Sequence, residues 1–151
     1  MWLFDQDHRK EHNKGMGLHR KLKVSEWLDV SLEQSTDRIC DHEGAIIQNF
    51  SYRGRGPPFL YFIIKDVNLV VELEIDVIEE DAKYRLCGVI YYGSGHFICR
   101  IVDKSGNVWY HDGFTQGARV KFVKNAINMS NTGWLKTSRY RANALVYTRL
   151  N

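Results

Sequence analysis

A chain of 151 residues with 44% hydrophobic content suits one domain, large enough to bury roughly two-thirds of its unfolded surface and to fold by itself. Its 21 basic and 18 acidic side chains leave a formal charge of only +3, too mild to point to a nucleic-acid partner. Three cysteines, Cys40, Cys87 and Cys99, with no CxxC spacing, argue against a disulfide framework and a cysteine-based zinc site, and fit a reducing compartment.

The N-terminus, Met1-Trp-Leu-Phe-Asp-Gln-Asp, carries acidic residues where a secretory signal needs a basic start. No apolar run approaches the ~20 residues that span a bilayer. The expected location is cytoplasmic or nuclear, with no membrane contact, and the start is compatible with a longer chain beginning upstream.

Residues 1–23 read as a basic, flexible lead-in, with Arg9, Lys10, Lys14, Arg20, Lys21 and Lys23 interleaved with His8, His12 and His19. A basic arm that touches nucleic acid is the alternative reading of this segment. Its histidines lack metal-ligand spacing, so no metal is expected there. From Val24 the pattern Val24, Trp27, Leu28, Leu32 predicts a short amphipathic helix, with Ser25 as its N-cap. The polar stretch that follows holds Cys40-Asp41-His42, three neighbours that read as a loop with a stray thiol.

The remainder reads as strands. Ala45 to Tyr52 is alternating, Arg53-Gly-Arg-Gly-Pro-Pro58 breaks it, and Phe59 to Lys65 and Val67 to Val77 follow, the latter with Leu69, Val71, Leu73 and Ile75 at period two. Next come Tyr84 to Tyr92, Phe97 to Val102, a turn at Asp103-Lys-Ser-Gly106, Val108 to His111, Ala118 to Val123 and a closing run, Ala144 to Arg149. The expected fold class is α+β, a largely antiparallel sheet of six or more strands with one or two short helices, spanning residues 24–151.

The tight turn at Asp103 to Gly106 pairs its flanking strands as a hairpin, which sets His96 and Asp112 at the two open ends. A carboxylate accepting from one ring nitrogen fixes the histidine's tautomer and leaves the other nitrogen free to take a thiol proton. Gly93 and Gly95, without Cβ atoms, allow a substrate backbone close to that base. Cys87 and Cys99 lie in apolar strands and read as packing rather than as nucleophiles.

Four blocks, in order, carry a resemblance to the C-terminal half of the ubiquitin-specific protease catalytic domain, a papain-like cysteine peptidase family. Gly56-Pro-Pro-Phe-Leu-Tyr-Phe-Ile-Ile-Lys65 resembles its Pro-Pro-x-Leu strand. Tyr84-Arg-Leu-Cys-Gly-Val-Ile-Tyr-Tyr-Gly-Ser-Gly-His-Phe97 resembles its histidine box. Val108-Trp-Tyr-His-Asp112 is similar to its Trp-Tyr-x-Phe-Asp block, and Ala142-Asn-Ala-Leu-Val-Tyr-Thr-Arg149 to its closing strand.

The resemblance implies a papain-like C-terminal subdomain in which His96 is the catalytic histidine and Asp112 its orienting residue. It also implies that Gly93, Ser94 and Gly95 border the channel for a polypeptide tail, and that Trp109 and Tyr110 support that substrate-binding region by packing. The implied reaction is thiol-dependent hydrolysis of ubiquitin or ubiquitin-like conjugates, without a cofactor. The family's nucleophile box and paired CxxC motifs are missing, and Gly113 stands where a second acidic residue is common. The expected function is therefore the His/Asp part of a cysteine peptidase site, its cysteine coming from an upstream segment or partner chain. The alternative is a non-catalytic module that binds ubiquitin-like or other polypeptides.

Overall fold

The computed structural model describes residues 2–5, 22–26, 35–36, 46–47, 56–64, 69–77 and 81–150. The Cys40-Asp41-His42 triplet, most of the basic lead-in, the helix beyond Glu26 and most of the strand expected over 45–52 lie outside these residues.

A nine-stranded sheet organises the chain. Its strands are β1 (Trp2–Asp5), β5 (Phe59–Ile63), β7 (Glu74–Val77), β8 (Ala82–Gly93), β9 (His96–Val102), β10 (Asn107–His111), β11 (Lys121–Asn125), β12 (Lys136–Thr137) and β13 (Tyr140–Arg149). The order along the sheet is β1-β5-β13-β8-β9-β10-β11, with β7 pairing β8 and β12 pairing β13. Within this sheet every pairing is antiparallel except β1 with β5. The largely antiparallel α+β architecture read from strand periodicity is the one observed. Two small pairs stand apart: β2 (Leu22–Lys23) with β6 (Leu69–Val70), and β3 (Ser35–Thr36) with β4 (Ile46–Ile47). Two stretches of the expected lead-in, residues 2–5 and 22–23, thus pair with later strands.

One face of the sheet is the core. Leu60 and Phe62 of β5, Tyr84, Leu86, Val89 and Tyr91 of β8, and Leu145 and Tyr147 of β13 are all fully buried. Burying a Leu or Phe side chain of this kind contributes roughly 1.5–3 kcal/mol. Strict alternation would send Leu86 and Val89 to opposite faces. The β8–β13 register shifts between Val146 and Tyr147, and the extra residue turns both inward. Cys87, at that irregularity, donates its thiol hydrogen to Val146 O at 3.4 Å.

Buried tyrosine hydroxyls find partners, as desolvation demands. Tyr84 donates to Pro57 O at 2.8 Å and Tyr147 to Glu72 O at 2.7 Å. Burial pushes the Tyr147 phenol well above its ordinary value.

The structure departs from the expected elements in three places. The run Val67 to Val77 is broken: β6 and β7 belong to different sheets, although Leu69, Val71, Ile75 and Val77 keep their period-two burial. The break serves cross-contacts, since Val71 N donates to Asn131 Oδ1 at 2.8 Å and Leu86 N to Leu73 O at 2.8 Å. The helical turn begins at Val24, so Ser25 is not its cap; Lys23 N donates to Glu26 Oε2 at 3.0 Å, the return half of a capping box. Two short helices, α1 (Gly113–Gln116) and α2 (Asn131–Leu135), were hidden by their brevity. Among the described residues no helix is long and apolar enough to cross a membrane.

Candidate functional site

Two hairpins and one cap bring the site together. The first hairpin joins β8 to β9. Gly93 pairs directly with His96, leaving a two-residue turn in which Ser94 has φ 52° and Gly95 φ 75°. Positive φ at both central positions is the type I′ signature, whose twist matches the flanking strands. The turn therefore holds His96 as the first residue of β9.

The second hairpin joins β9 to β10, with Val108 opposite Val102 and His111 opposite Cys99. Its turn is held by Asp103, which accepts from Ser105 N at 2.8 Å, Asn107 N at 2.9 Å and Trp109 Nε1 at 2.9 Å. The Trp109 indole, the largest of these influences, together with the backbone amides holds the Asp103 carboxyl down at about 2.

Asp112 leaves β10 as the N-cap of α1. Its Oδ1 accepts from Phe114 N at 3.0 Å and Thr115 N at 3.3 Å, and from His96 Nε2 at 2.9 Å. The bond from His96 first, and then Thr115 and Phe114, lowers its carboxyl to about 2. An ionised carboxylate can only accept, so Nε2 is the donor and Nδ1 carries the lone pair when the ring is neutral.

Asp112 is buried and His96 half-buried. Phe114 and Tyr140 flank the imidazole edge-on, with ring centroids 6.0 and 6.2 Å away. Together with Thr115 and Arg139 these residues line an open pocket of about 340 Å3. Tyr140, Arg139 and Phe114 were not legible in the sequence as site residues.

The remaining candidates divide by face. Tyr110 is beside the pair: burial, followed by the nearby Asp112 charge, raises its phenol. Trp109 points to the other face, its ring 5.5 Å from Phe122, and is not brought to the pocket. Gly95 is open to solvent, with nothing near a Cβ position. Gly93 has a packing requirement besides the substrate approach expected of it. A Cβ there would lie 2.7 Å from Arg139 O and 3.1 Å from Tyr140 Cα, so its bare backbone admits the strand that brings Tyr140 to His96.

The two described cysteines do not join the site. On β9, His96, Ile98 and Arg100 share the core side while Cys99 alternates to the other. Burial raises the thiols of both Cys87 and Cys99, which favours the unreactive protonated form. Among the described residues no group of three His, Cys, Asp or Glu is arranged to hold a metal.

Beneath the pocket, buried Arg100 lies 5.3 Å over the Tyr91 ring and donates to Tyr91 Oη at 3.1 Å, Thr137 Oγ1 at 2.9 Å and Gly133 O. It ties β9 to α2 and β12, the elements that lead into Arg139 and Tyr140. Burial drives the Tyr91 phenol up to about 12, against the opposing pull of Arg100.

No protein-family model and no curated protein sequence matches the chain. Its fold is similar to that of the SAGA Ubp8/Sgf11/Sus1/Sgf73 DUB module bound to ubiquitin aldehyde, with a TM-score of 0.55 at 14% identity over 99% of this chain and 36% of that one. The Ubp8-Sgf11-Sgf73-Sus1 SAGA DUB module gives a TM-score of 0.55 at 15% identity, over 99% of this chain and 33% of the other. A yeast SAGA DUB module carrying an Sgf73 variant gives 0.54 at 14% identity, over 99% and 35%. The chain has a ubiquitin-specific-protease-like fold and spans about a third of the length of each of these proteins.

Proposed function

We propose that this chain supplies the base and its orienting carboxylate to a ubiquitin-specific-protease-type cysteine site, and that a cysteine on another segment or partner chain completes it. The observation that carries this reading is the 2.9 Å bond from His96 Nε2 to Asp112, which leaves Nδ1 as the proton-accepting nitrogen. In the completed site a thiol gives its proton to His96 Nδ1 and its sulfur attacks the carbonyl carbon of an amide or isopeptide bond. The imidazolium then protonates the leaving amine, and water hydrolyses the thioester with His96 again taking a proton. The Gly93-Ser94-Gly95 turn borders the approach of the polypeptide tail.

The isolated chain binds a polypeptide without cleaving it. Cys87 and Cys99 support this part of the reading, since both are displaced from His96 and raised by burial. The likeness to a module bound to ubiquitin aldehyde makes ubiquitin or a ubiquitin-like protein the first partner to test.

The test is reaction of the purified chain with ubiquitin carrying a C-terminal thiol-trapping electrophile, read by intact mass, beside a binding titration with unmodified ubiquitin. The expected result is binding that His96→Ala weakens, with no adduct. An adduct on any of the three cysteines overturns the half-site, and absence of binding removes ubiquitin as the partner.

A further inference from the structure

The outer face of the sheet is apolar as well as the core face. An antiparallel sheet with one wet face alternates apolar residues inward with polar residues outward. Here the outward positions carry an apolar band instead: a row runs from Tyr61 on β5 through Val146, Gly88 and Ile101 to Trp109 and Phe122, and Tyr92 beside Phe97 extends it toward the Gly93 turn. The rings of Tyr92 and Phe97 are 4.7 Å apart, and those of Trp109 and Phe122 5.5 Å.

The band is open. Phe97 is 56% exposed, Phe122 52%, Tyr92 46% and Ile101 43%. Each leaves roughly 100 Å2 of a large side chain to water. With the partly exposed residues between them, the band exceeds the few hundred Å2 ordinary on a monomer and comes near the ~800 Å2 that one partner gives to a stable interface. Its centre is uncharged. Arg141 stands at one end, opposite Tyr92, while Arg85 with Glu74 and Lys83 with Asp76 stand at the other. Among the outward positions of β9 and β10, the one ionisable group besides the Cys99 thiol is His111, whose Nε2 donates to Gly117 O at 2.8 Å.

We infer that a second copy of this chain covers the band, the two sheets packing face to face about a two-fold axis that runs across the strands. Such a contact places the same patch on both sides, so the surface must tolerate itself. An uncharged centre does, and the apolar area withdrawn from water drives the association. With the axis across the strands, the Arg141 end of one copy lies over the Glu74 and Asp76 end of the other, whereas an axis along the strands would bring the two Arg141 ends together. Packed sheets interdigitate, and Gly88 leaves a hollow in the middle of the row for a side chain of the opposing copy: a Cβ there would meet only ordinary contacts, 3.6 Å from Arg100 O and 3.8 Å from Val146 Cβ. The inference concerns the chain by itself and does not depend on the reading of the His96 pocket.

The experiment is sedimentation velocity of the full chain over about 1–100 µM, where an interface of this size holds even at modest affinity, beside maleimide labelling of Cys99 read by peptide mass. The expected result is a mass that rises from one chain to two with concentration. Cys99 labelling should slow several-fold over the same range, because Cys99 lies on the band opposite His111. Phe97→Lys with Ile101→Lys, checked for folding by circular dichroism, should stay at one chain and label at a constant rate; Tyr92→Glu takes their place if the double variant does not fold. Ile127→Lys, at an exposed apolar residue in the turn after β11, should dimerise as the wild type does. A single chain throughout, open-ended aggregation, a dimer that survives the face substitutions, or Cys99 labelling independent of concentration overturns the inference. So does a monomer whose Cys99 is shielded instead by phosphatidylcholine–phosphatidylserine vesicles or by ubiquitin, since the band then belongs to a lipid surface or to that partner. Failure of the ubiquitin titration bears on the His96 pocket and leaves the dimer standing.

Discussion

Asp112 Oδ1 serves His96 and the first turn of α1 with a single atom, accepting from the imidazole at 2.9 Å and from Phe114 N at 3.0 Å. The orientation of the histidine and the folding of the helix that follows are therefore coupled.

Asp112→Asn keeps the cap, because an amide oxygen still accepts from the helix amides, but removes the charge that selects Nε2 as donor. Asp112→Ala loses both. The alanine variant should melt several degrees below the wild type and the asparagine variant close to it, while both lose the His96-dependent binding. Thermal melts monitored by circular dichroism, beside the ubiquitin titration, separate the two roles.

Acid should destabilise the fold in a defined window. Asp112 and Asp103 each sit at about 2 when folded against an ordinary 3.8, so the native state binds fewer protons than the unfolded chain between these values. Their contribution is fully present above about pH 4 and is lost as pH falls toward 2. Urea midpoints followed by tryptophan fluorescence should drop through this range, and Asp103→Asn should flatten part of the drop.

Gly93→Ala should cost about 1–3 kcal/mol, since its Cβ meets backbone atoms of the returning strand that have no room to yield. Gly95→Ala meets nothing and carries only the strain of its φ of 75°, about 1 kcal/mol. Denaturant unfolding ranks the two, and only Gly93→Ala should also displace Tyr140 and reshape the pocket.

Arg100→Met should destabilise by about 2–4 kcal/mol, because Gly133 O and Thr137 Oγ1 are left without their buried donor. Arg100→Lys should recover only part of this, as one ammonium cannot reproduce the planar fork that reaches β8, α2 and β12 together. Urea unfolding of the three proteins gives the order.

The hairpins were legible because turn chemistry is local. Asp103-Lys-Ser-Gly106 and Ser94-Gly95 are short, rich in turn formers and flanked by apolar strands, so the facing of His96 and Asp112 follows from the strand lengths. The core face was legible for the same reason, except at the β8 irregularity, where one extra residue changes the phase of alternation without marking the sequence. The cap at Ser25 was misplaced because the helical turn begins one residue earlier, at Val24, and its first turn is closed by Glu26 accepting from Lys23 N, a residue with no capping side chain to mark the start.

Composition and period two by themselves determined an antiparallel α+β domain with His96 and Asp112 at one end of a hairpin, because side-chain alternation and tight turns are written within a few residues. The tertiary structure alone decided what surrounds them. β13 returns between β5 and β8, carrying Tyr140 and Arg139 to the histidine from more than forty positions away, and Gly93 is bare to admit them. Contacts of that range depend on strand order, which no local pattern specifies.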